Sequence, residues 1–259
     1  MEQAVEQNLA FGIDIGGSGI KGAVVNLDTG EFATERVRIP TPKKSTPKAV
    51  AQTCKELIDQ FDLSSDMPVG ITFPAPVSHG VVLFIANLHK SWKGVNVIEL
   101  MEAELGRKVY PVNDADAAGY AEVVYGAAKG VDGLVIVTTL GTGIGTAMIY
   151  NGQLQPNTEL GHVEIDGHDA ESRASSGVRT AEGLSFKKWA KRLTKYYSHL
   201  EMLFTPDLFV VGGGVSKKHD QFMPLIDVKT PMVPAKLFNT AGIVGAAALA
   251  KRYLTASVA

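Results

Sequence analysis

The sequence predicts an α/β protein built as two related domains. Three observations carry that reading. Strands and helices alternate along the chain, and buried strands run repeatedly into glycine-rich loops. The stretch from Gly17 to Val25 is matched in polar and apolar character by the stretch from Gly141 to Ile149, 124 residues further on. A repeat at that distance is a duplication of a whole domain, not a short-period solenoid. Two strand–loop–strand hairpins, one per half, predict two similar domains facing across a cleft.

Composition agrees. The chain has 259 residues, 45% apolar and 20% charged, enough for one large core or two of about 100–150 residues each and too apolar for wholesale disorder. Lys plus Arg total 25 against 27 Asp plus Glu. That balance gives no global attraction to nucleic acid or to a membrane surface, so any basic site must be local. The single cysteine, Cys54, excludes a disulfide framework and a multi-cysteine zinc site. No apolar run reaches the ~18–20 residues of a membrane span, and Met1–Ala10 carries no basic cluster. The expectation is a soluble, cytoplasmic protein.

Taken in order, Ala10–Ile15 reads as a buried strand stopping at Asp14 and the pair Gly16-Gly17. Ile20–Leu27 is a second strand, Asp28-Thr29-Gly30 a turn, and Glu31–Ile39 a third strand. Thr46 caps a helix with Pro47 at its first position, and Val50, Cys54, Leu57, Ile58 and Phe61 give it an apolar face. Cys54 is then a core residue. Val69–Phe73 and Val81–Ile85 are strands, and Asn96 caps a helix ended by Gly106. Val109–Val112 is a strand stopping at Asn113-Asp114, and Asp116–Lys129 a helix. Gly133–Thr139 and Thr146–Tyr150 are strands around the loop Gly141–Gly145, and Asn151-Gly152 is a type I′ turn. Phe186, Trp189, Ala190, Leu193, Tyr197, Leu200 and Phe204 mark one stripe of a long helix. Asp207–Val211 is a strand closing on Gly212-Gly213-Gly214, and Ala241–Leu254 a small-residue helix.

Glycine loops of this kind suit phosphate. Backbone N–H groups can reach a polyphosphate only where no Cβ intervenes, although a single such loop is equally well a plain turn. Asp14 ends a buried strand, a costly place for a carboxylate unless a cation or a donor meets it. A hydrated Mg²⁺ held there would neutralise phosphate charge.

Four motifs in order then carry a resemblance over nearly the whole chain. Asp14-Ile15-Gly16-Gly17-Ser18-Gly19-Ile20-Lys21, Leu140-Gly141-Thr142-Gly143-Ile144-Gly145 and Val211-Gly212-Gly213-Gly214 resemble the two phosphate motifs and the adenosine motif of the actin/hexokinase/Hsp70 superfamily. Asn113-Asp114 and Glu159-Leu160-Gly161-His162 resemble its ROK (repressor, open reading frame, kinase) branch. Members of that branch usually carry a cysteine-rich zinc segment after the second of these motifs. Here Asp166-Gly167-His168-Asp169-Ala170-Glu171-Ser172-Arg173-Ala174-Ser175 takes its place, with Glu171 matching the segment's final Glu. A short, zinc-free chain of this kind is similar to the polyphosphate glucokinase group, which phosphorylates glucose, and in some members mannose, from inorganic polyphosphate and often ATP.

The resemblance implies a duplicated actin-like ATPase (ribonuclease H-like) fold with mixed sheets flanked by helices. A smaller first domain would comprise 1–112 and 241–259, and a larger second domain 113–240. It makes Asp114 the general base at the sugar's primary hydroxyl. Asn87, Asn113, Glu159, His162 and Glu171 would contact the sugar. Gly16, Gly17, Ser18, Gly19, Lys21, Gly141, Thr142, Gly143 and Gly145 would hold phosphate, Gly212, Gly213 and Gly214 the nucleotide, and Asp14 the Mg²⁺ through water. No zinc is expected, since His162 lacks thiolate partners. Read on propensity alone, Asp114 is also a helix N-cap and His162 an ordinary core histidine.

A long polyphosphate is a polyanion and calls for a basic track. Lys43, Lys44 and Lys48, then Lys187, Lys188, Lys191, Arg192 and Lys195, then Lys217 and Lys218 are the candidates, each also readable as a solvated face. A strictly ATP-dependent sugar kinase is the nearer alternative. A sugar-responsive repressor of the same branch would need an N-terminal helix-turn-helix, for which the start at Ala10 leaves no room. The expected partners are a hexose and the phosphoryl donor, in a monomer or homodimer without nucleic acid or membrane.

Overall fold

The computed structural model describes residues 8–84 and 88–255 and forms two compact units. The first is Met1–Ala121 with Thr240–Ala259, the second Glu122–Asn239, so the first is the longer.

The first unit is a sheet covered by helices. β1 (Leu9–Ile15) and β2 (Ile20–Asn26) form an antiparallel hairpin, and β3 (Glu31–Phe32) and β4 (Val37–Ile39) pair with β2. The single strand expected over 31–39 is therefore two. The Thr34 hydroxyl takes the Val24 amide at 3.1 Å in place of a strand carbonyl, which interrupts the ladder. α1 (Pro47–Ile58) buries Val50, Cys54 and Leu57, and burial pushes the Cys54 thiol up to about 12, leaving it inert. Pro47 opens the helix as expected, but the Thr46 side chain makes no capping bond. β5 (Val69–Phe73) lies parallel to β1, and a short ribbon follows, β6 (Val77–Ser78) with β7 (Val81–Val82). α2 (Val97–Leu105) has Asn96 accepting the Ile98 and Glu99 amides at one end and Gly106, at φ 65°, closing the other. β8 (Val109–Asn113) completes the order β3-β2-β1-β5-β8.

α3 (Asp114–Val124) starts earlier and ends sooner than the expected Asp116–Lys129. The Asn113 carboxamide oxygen accepts the Ala115 and Asp116 amides, which fixes the start. At the far end the buried Glu122 carboxylate turns back to accept the Ala127 amide at 2.8 Å and those of Lys236 and Leu237. A Cβ at Gly126 would sit 2.1 Å from Glu122 Oε2, so only glycine permits that reversal.

The second unit repeats the plan. β9 (Leu134–Leu140) and β10 (Ile144–Tyr150) form a hairpin extended by β11 (Gln153–Gln155). Asn151 and Gly152 both have positive φ, as a type I′ turn requires. After a ribbon of β12 (Glu164–Ile165) and β13 (His168–Asp169) come the short α4 (Glu171–Ala174), α5 (Ser176–Ala181) and the long α6 (Phe186–Phe204). β14 (Leu208–Gly212) is parallel to β9, and β15 (Met232–Pro234) to β14, giving the order β11-β10-β9-β14-β15. Each sheet is thus an antiparallel hairpin followed by parallel strands, the duplication read in the sequence. The stripe on α6 buries Trp189, Leu193, Tyr197 and Leu200 against Phe209 and Phe222.

α7 (Ala241–Thr255) belongs to the first unit and lies unusually close to its sheet. Gly12 and Gly70 are register partners on β1 and β5, and a Cβ at either would fall 2.1 Å from the Ile243 carbonyl oxygen or 1.9 Å from that of Ala246. The small residues of α7 make this backbone-to-backbone seating possible.

Candidate active site

Asp14 stands at the end of β1, opposite Lys21 on β2 and Thr72 on β5. Its Oδ2 accepts from Lys21 Nζ at 2.9 Å and its Oδ1 from the Thr72 hydroxyl at 2.9 Å. Thr72 Oγ1 in turn accepts the Ile15 amide. The first turn of α7 meets the same carboxylate, since a Cβ at Gly242 would lie 3.5 Å from Asp14 Oδ1. The positive end of a helix thereby joins the lysine in facing the Asp14 carboxylate. Beside it the loop 16–19 is pinched by the Gly16 amide on the Gly19 carbonyl at 3.1 Å, with Gly17 and Ser18 exposed at its tip.

Asn113 ends β8, where it pairs in register with Phe73 of β5, and Asp114 opens α3. Asn113 is buried and serves as the cap of α3, whereas Asp114 is exposed in the first helical turn. Capping therefore falls to Asn113, and Asp114 Oδ1 accepts the neighbouring Ala115 amide at 2.8 Å.

In the second unit the loop between β9 and β10 is closed by the Gly141 amide on the Gly143 carbonyl at 3.0 Å. Gly141 and Thr142 lie in it, but Gly145 does not: it is inside β10, paired with Thr139. Glu171, at the start of α4, accepts the Ile144 amide at 2.9 Å, and its Oε2 would lie 2.3 Å from a Cβ at Gly143. Gly143 is needed so that this carboxylate can brace the loop. α6 steadies α4 from behind, through Trp189 Nε1 on the Ala174 carbonyl at 2.8 Å and Arg192 on that of Arg173 at 3.0 Å. Gly213, at φ 83°, lies against Leu140 at the end of β9, where a Cβ would meet the carbonyl oxygen at 2.4 Å. Gly212 ends β14 and Gly214 opens onto free space.

Glu159 and His162 flank a tight turn. The Thr146 hydroxyl accepts the Leu160 amide at 3.0 Å, and a Cβ at Gly161 would sit 2.1 Å from the Ile144 carbonyl oxygen, so the turn is seated directly on β10. Burial raises the Glu159 pKa first, with Glu171 adding to it and His162 opposing. His162 Nδ1 lies 2.7 Å from Asp169 Oδ2, and that hydrogen bond is the main cause of its raised pKa. Sequence reasoning missed Asp169, which looks like one more turn residue between His168 and Ala170. Its other oxygen accepts the Glu171 amide at 3.1 Å, so it aligns both His162 and Glu171. We predict that Asp169→Asn lowers the His162 pKa toward the ordinary histidine value, read by NMR titration of the imidazole. His162 is charged more readily folded than unfolded, so its contribution to stability is full below the unfolded pKa and lost as pH rises through the folded one. Asp169→Asn should weaken that pH dependence.

Asp14, Lys21, Asn113 and Asp114 thus lie in the first unit, and Glu159, His162 and Glu171 cluster in the second. Asn87 lies outside the described residues. The ligating atoms of His162, Asp169 and Glu171 fall within 4.8 Å of one another. No helix among the described residues is long and apolar enough to cross a membrane.

Two units of this topology, each with a glycine-turned hairpin loop, define the actin-like ATPase fold. The ROK family model matches residues 10–178, and this chain belongs to the ROK family. It is similar to the polyphosphate glucokinase of Mycobacterium tuberculosis (strain CDC 1551 / Oshkosh), 51% identical over 94% of this chain and 92% of that one. The polyphosphate glucokinase of Mycobacterium leprae (strain TN) is 50% identical over 92% of this chain and 73% of its own length. Among solved structures, the inorganic polyphosphate/ATP-glucomannokinase of Arthrobacter sp. strain KM superposes with a TM-score of 0.87 at 50% identity, covering 93% of this chain and 98% of that one.

Proposed function

We propose that this chain is a hexose kinase that moves a phosphoryl group from inorganic polyphosphate or ATP to the 6-hydroxyl of glucose, and of mannose as a second acceptor. The observation that supports this most is the pairing of half-identity to polyphosphate glucokinases over nearly the full chain with Asp114 exposed in the first turn of α3, next to the capping Asn113.

Phosphoryl transfer passes through a loose transition state, so the protein's work is positioning and charge stabilisation. In this reading Asp114 accepts the hydrogen bond of the attacking hydroxyl, orients it and takes its proton as the new bond forms. Asn113, Glu159, His162 and Glu171 pair with the remaining hydroxyls, with Asn87 assisting. A missing hydroxyl would leave such a group unpaired, at about 1–3 kcal/mol each. The loop of Gly16, Gly17, Ser18 and Gly19 with the Lys21 ammonium, and the stretch of Gly141, Thr142, Gly143 and Gly145, surround the phosphates, and Gly212, Gly213 and Gly214 admit the adenosine of ATP. The Asp14 carboxylate, met by the Lys21 ammonium and the Thr72 hydroxyl, presents oxygen acceptors that suit the waters of a hydrated Mg²⁺. Bound there through water, the ion would neutralise phosphate charge.

Zinc has no such place in the reading. Within the cluster of His162, Asp169 and Glu171, the imidazole Nδ1 already faces Asp169, and Glu171 already holds the Ile144 amide. Elemental analysis of the purified protein should find far less than one zinc per chain; a stoichiometric content would contradict this.

The whole reading is tested by a coupled glucose-6-phosphate assay with ATP and polyphosphate offered separately, across glucose, mannose and other hexoses. Both donors should support glucose phosphorylation. Turnover with ATP alone would reduce the reading to an ordinary ATP-dependent hexokinase.

A further inference from the structure

We propose that a long polyphosphate leaves the first glycine loop along a basic strip of the first unit, formed by Arg38, Lys43, Lys44, Lys48, Lys90 and Lys93. The proposal rests on polyphosphate being a donor, and it says where the chain beyond the reacting end is held.

The strip begins at the loop itself. Arg38 Nη2 donates to the Ser18 carbonyl at 2.6 Å, and its guanidinium lies against Gly19, where a Cβ would come within 2.5 Å of Nε. The Thr41 hydroxyl donates to the Gly16 carbonyl, anchoring the start of the loop that carries Lys43, Lys44 and Lys48. That loop is fixed in turn to the turn carrying Lys90 and Lys93. Trp92 Nε1, on a buried indole, donates to the Ser45 carbonyl at 2.8 Å, and the His89 amide donates to Ser45 Oγ at 3.1 Å. The cations are therefore presented on braced backbone rather than on loose tails.

Charge is the second argument. Arg36 to Lys55 contains no acidic residue, and neither does Met67 to Ile98. All five lysines are exposed, and none has a carboxylate within ion-pair distance among the described residues. The rival cluster on α6 differs. Its inner cations are already matched, Arg192 with Glu182 at 2.6 Å and Lys195 with Asp166. Unmatched charges of one sign, close together, gain most from a polyanion because its counterions are released on binding.

The test uses the full-length protein carrying K43A/K44A/K90A/K93A, with K187A/K191A/K217A/K218A as a variant of equal charge loss elsewhere. Binding of long-chain polyphosphate is measured by calorimetry, beside KM for long-chain polyphosphate, tripolyphosphate and ATP. The strip variant should bind the long chain at least about tenfold more weakly and with a shallower salt dependence. Its KM should rise most for the long chain, while the second variant stays within about twofold of the parent. Equal losses in both variants would reduce the effect to net charge and overturn the strip. So would unchanged long-chain binding in the strip variant, or a parent that does not bind the long chain. A parent that binds polyphosphate without turning it over would instead refute the donor assignment, and the calorimetry would still decide the strip.

Discussion

Replacing Asp114 by Asn lowers kcat by about 10²–10⁴-fold, the usual contribution of a positioned general base, while the protein stays folded. The substitution keeps the shape and the oxygen that accepts the Ala115 amide, and removes charge and basicity. The start of α3 is secure because its cap is Asn113, whose oxygen accepts two amides. Glucose binding, measured by calorimetry, should weaken far less than turnover, since a carboxamide still meets the hydroxyl. Asp14→Asn separates the two carboxylates. It also lowers kcat, but with a raised Mg²⁺ requirement that Asp114→Asn does not share. Near-parental kcat in folded Asp114→Asn would remove the proposed base.

Gly70→Ala should destabilise the protein by more than about 3 kcal/mol or prevent folding. The new Cβ would fall 1.9 Å from the Ala246 carbonyl oxygen, and the obstacle is helical backbone, which has no rotamer to change. Relief requires α7 to lift from β5. The same helix faces α3 through Gly245, where a Cβ would lie 1.8 Å from the Ala117 carbonyl oxygen, so movement on one side is opposed on the other. Any surviving protein should also lose activity, because lifting α7 withdraws its N-terminal turn from Asp14. Gly214→Ala is the comparison: nothing lies within 4 Å of that position, and its stability should change by less than about 1 kcal/mol. Thermal or urea unfolding of the two variants decides the point, and equal stabilities would contradict the packing account.

What the sequence made legible follows from how local each signal is. The two hairpins and their loops were readable because glycine spacing and apolar runs recur in both halves, and the structure gives both sheets the same order. Asn96 and Gly106 ended α2 as expected, since caps act within a turn. The early end of α3 was not readable, because it depends on Glu122 meeting amides at Lys236 and Leu237, more than a hundred residues away. Asp169 escaped for a related reason: its partner His162 is found only once β12 and β13 pair. Glu171 was named for the sugar, yet its contact with the Ile144 amide shows a second duty that spacing could not reveal. The seating of α7 was half visible. Its run of small residues was legible, but the partners Gly12 and Gly70 became a pair only through the parallel register of β1 and β5.

The central claim is phosphoryl transfer from polyphosphate to glucose, and nucleotide-free ³¹P NMR addresses it directly. Purified protein, Mg²⁺, glucose and long-chain polyphosphate are combined after enzymatic removal of all ATP and ADP. The account predicts a growing glucose 6-phosphate resonance, matched by loss of polyphosphate and abolished with Asp114→Asn. Polyphosphate that stays intact, or that is consumed with release of free phosphate and no sugar phosphate, would contradict it.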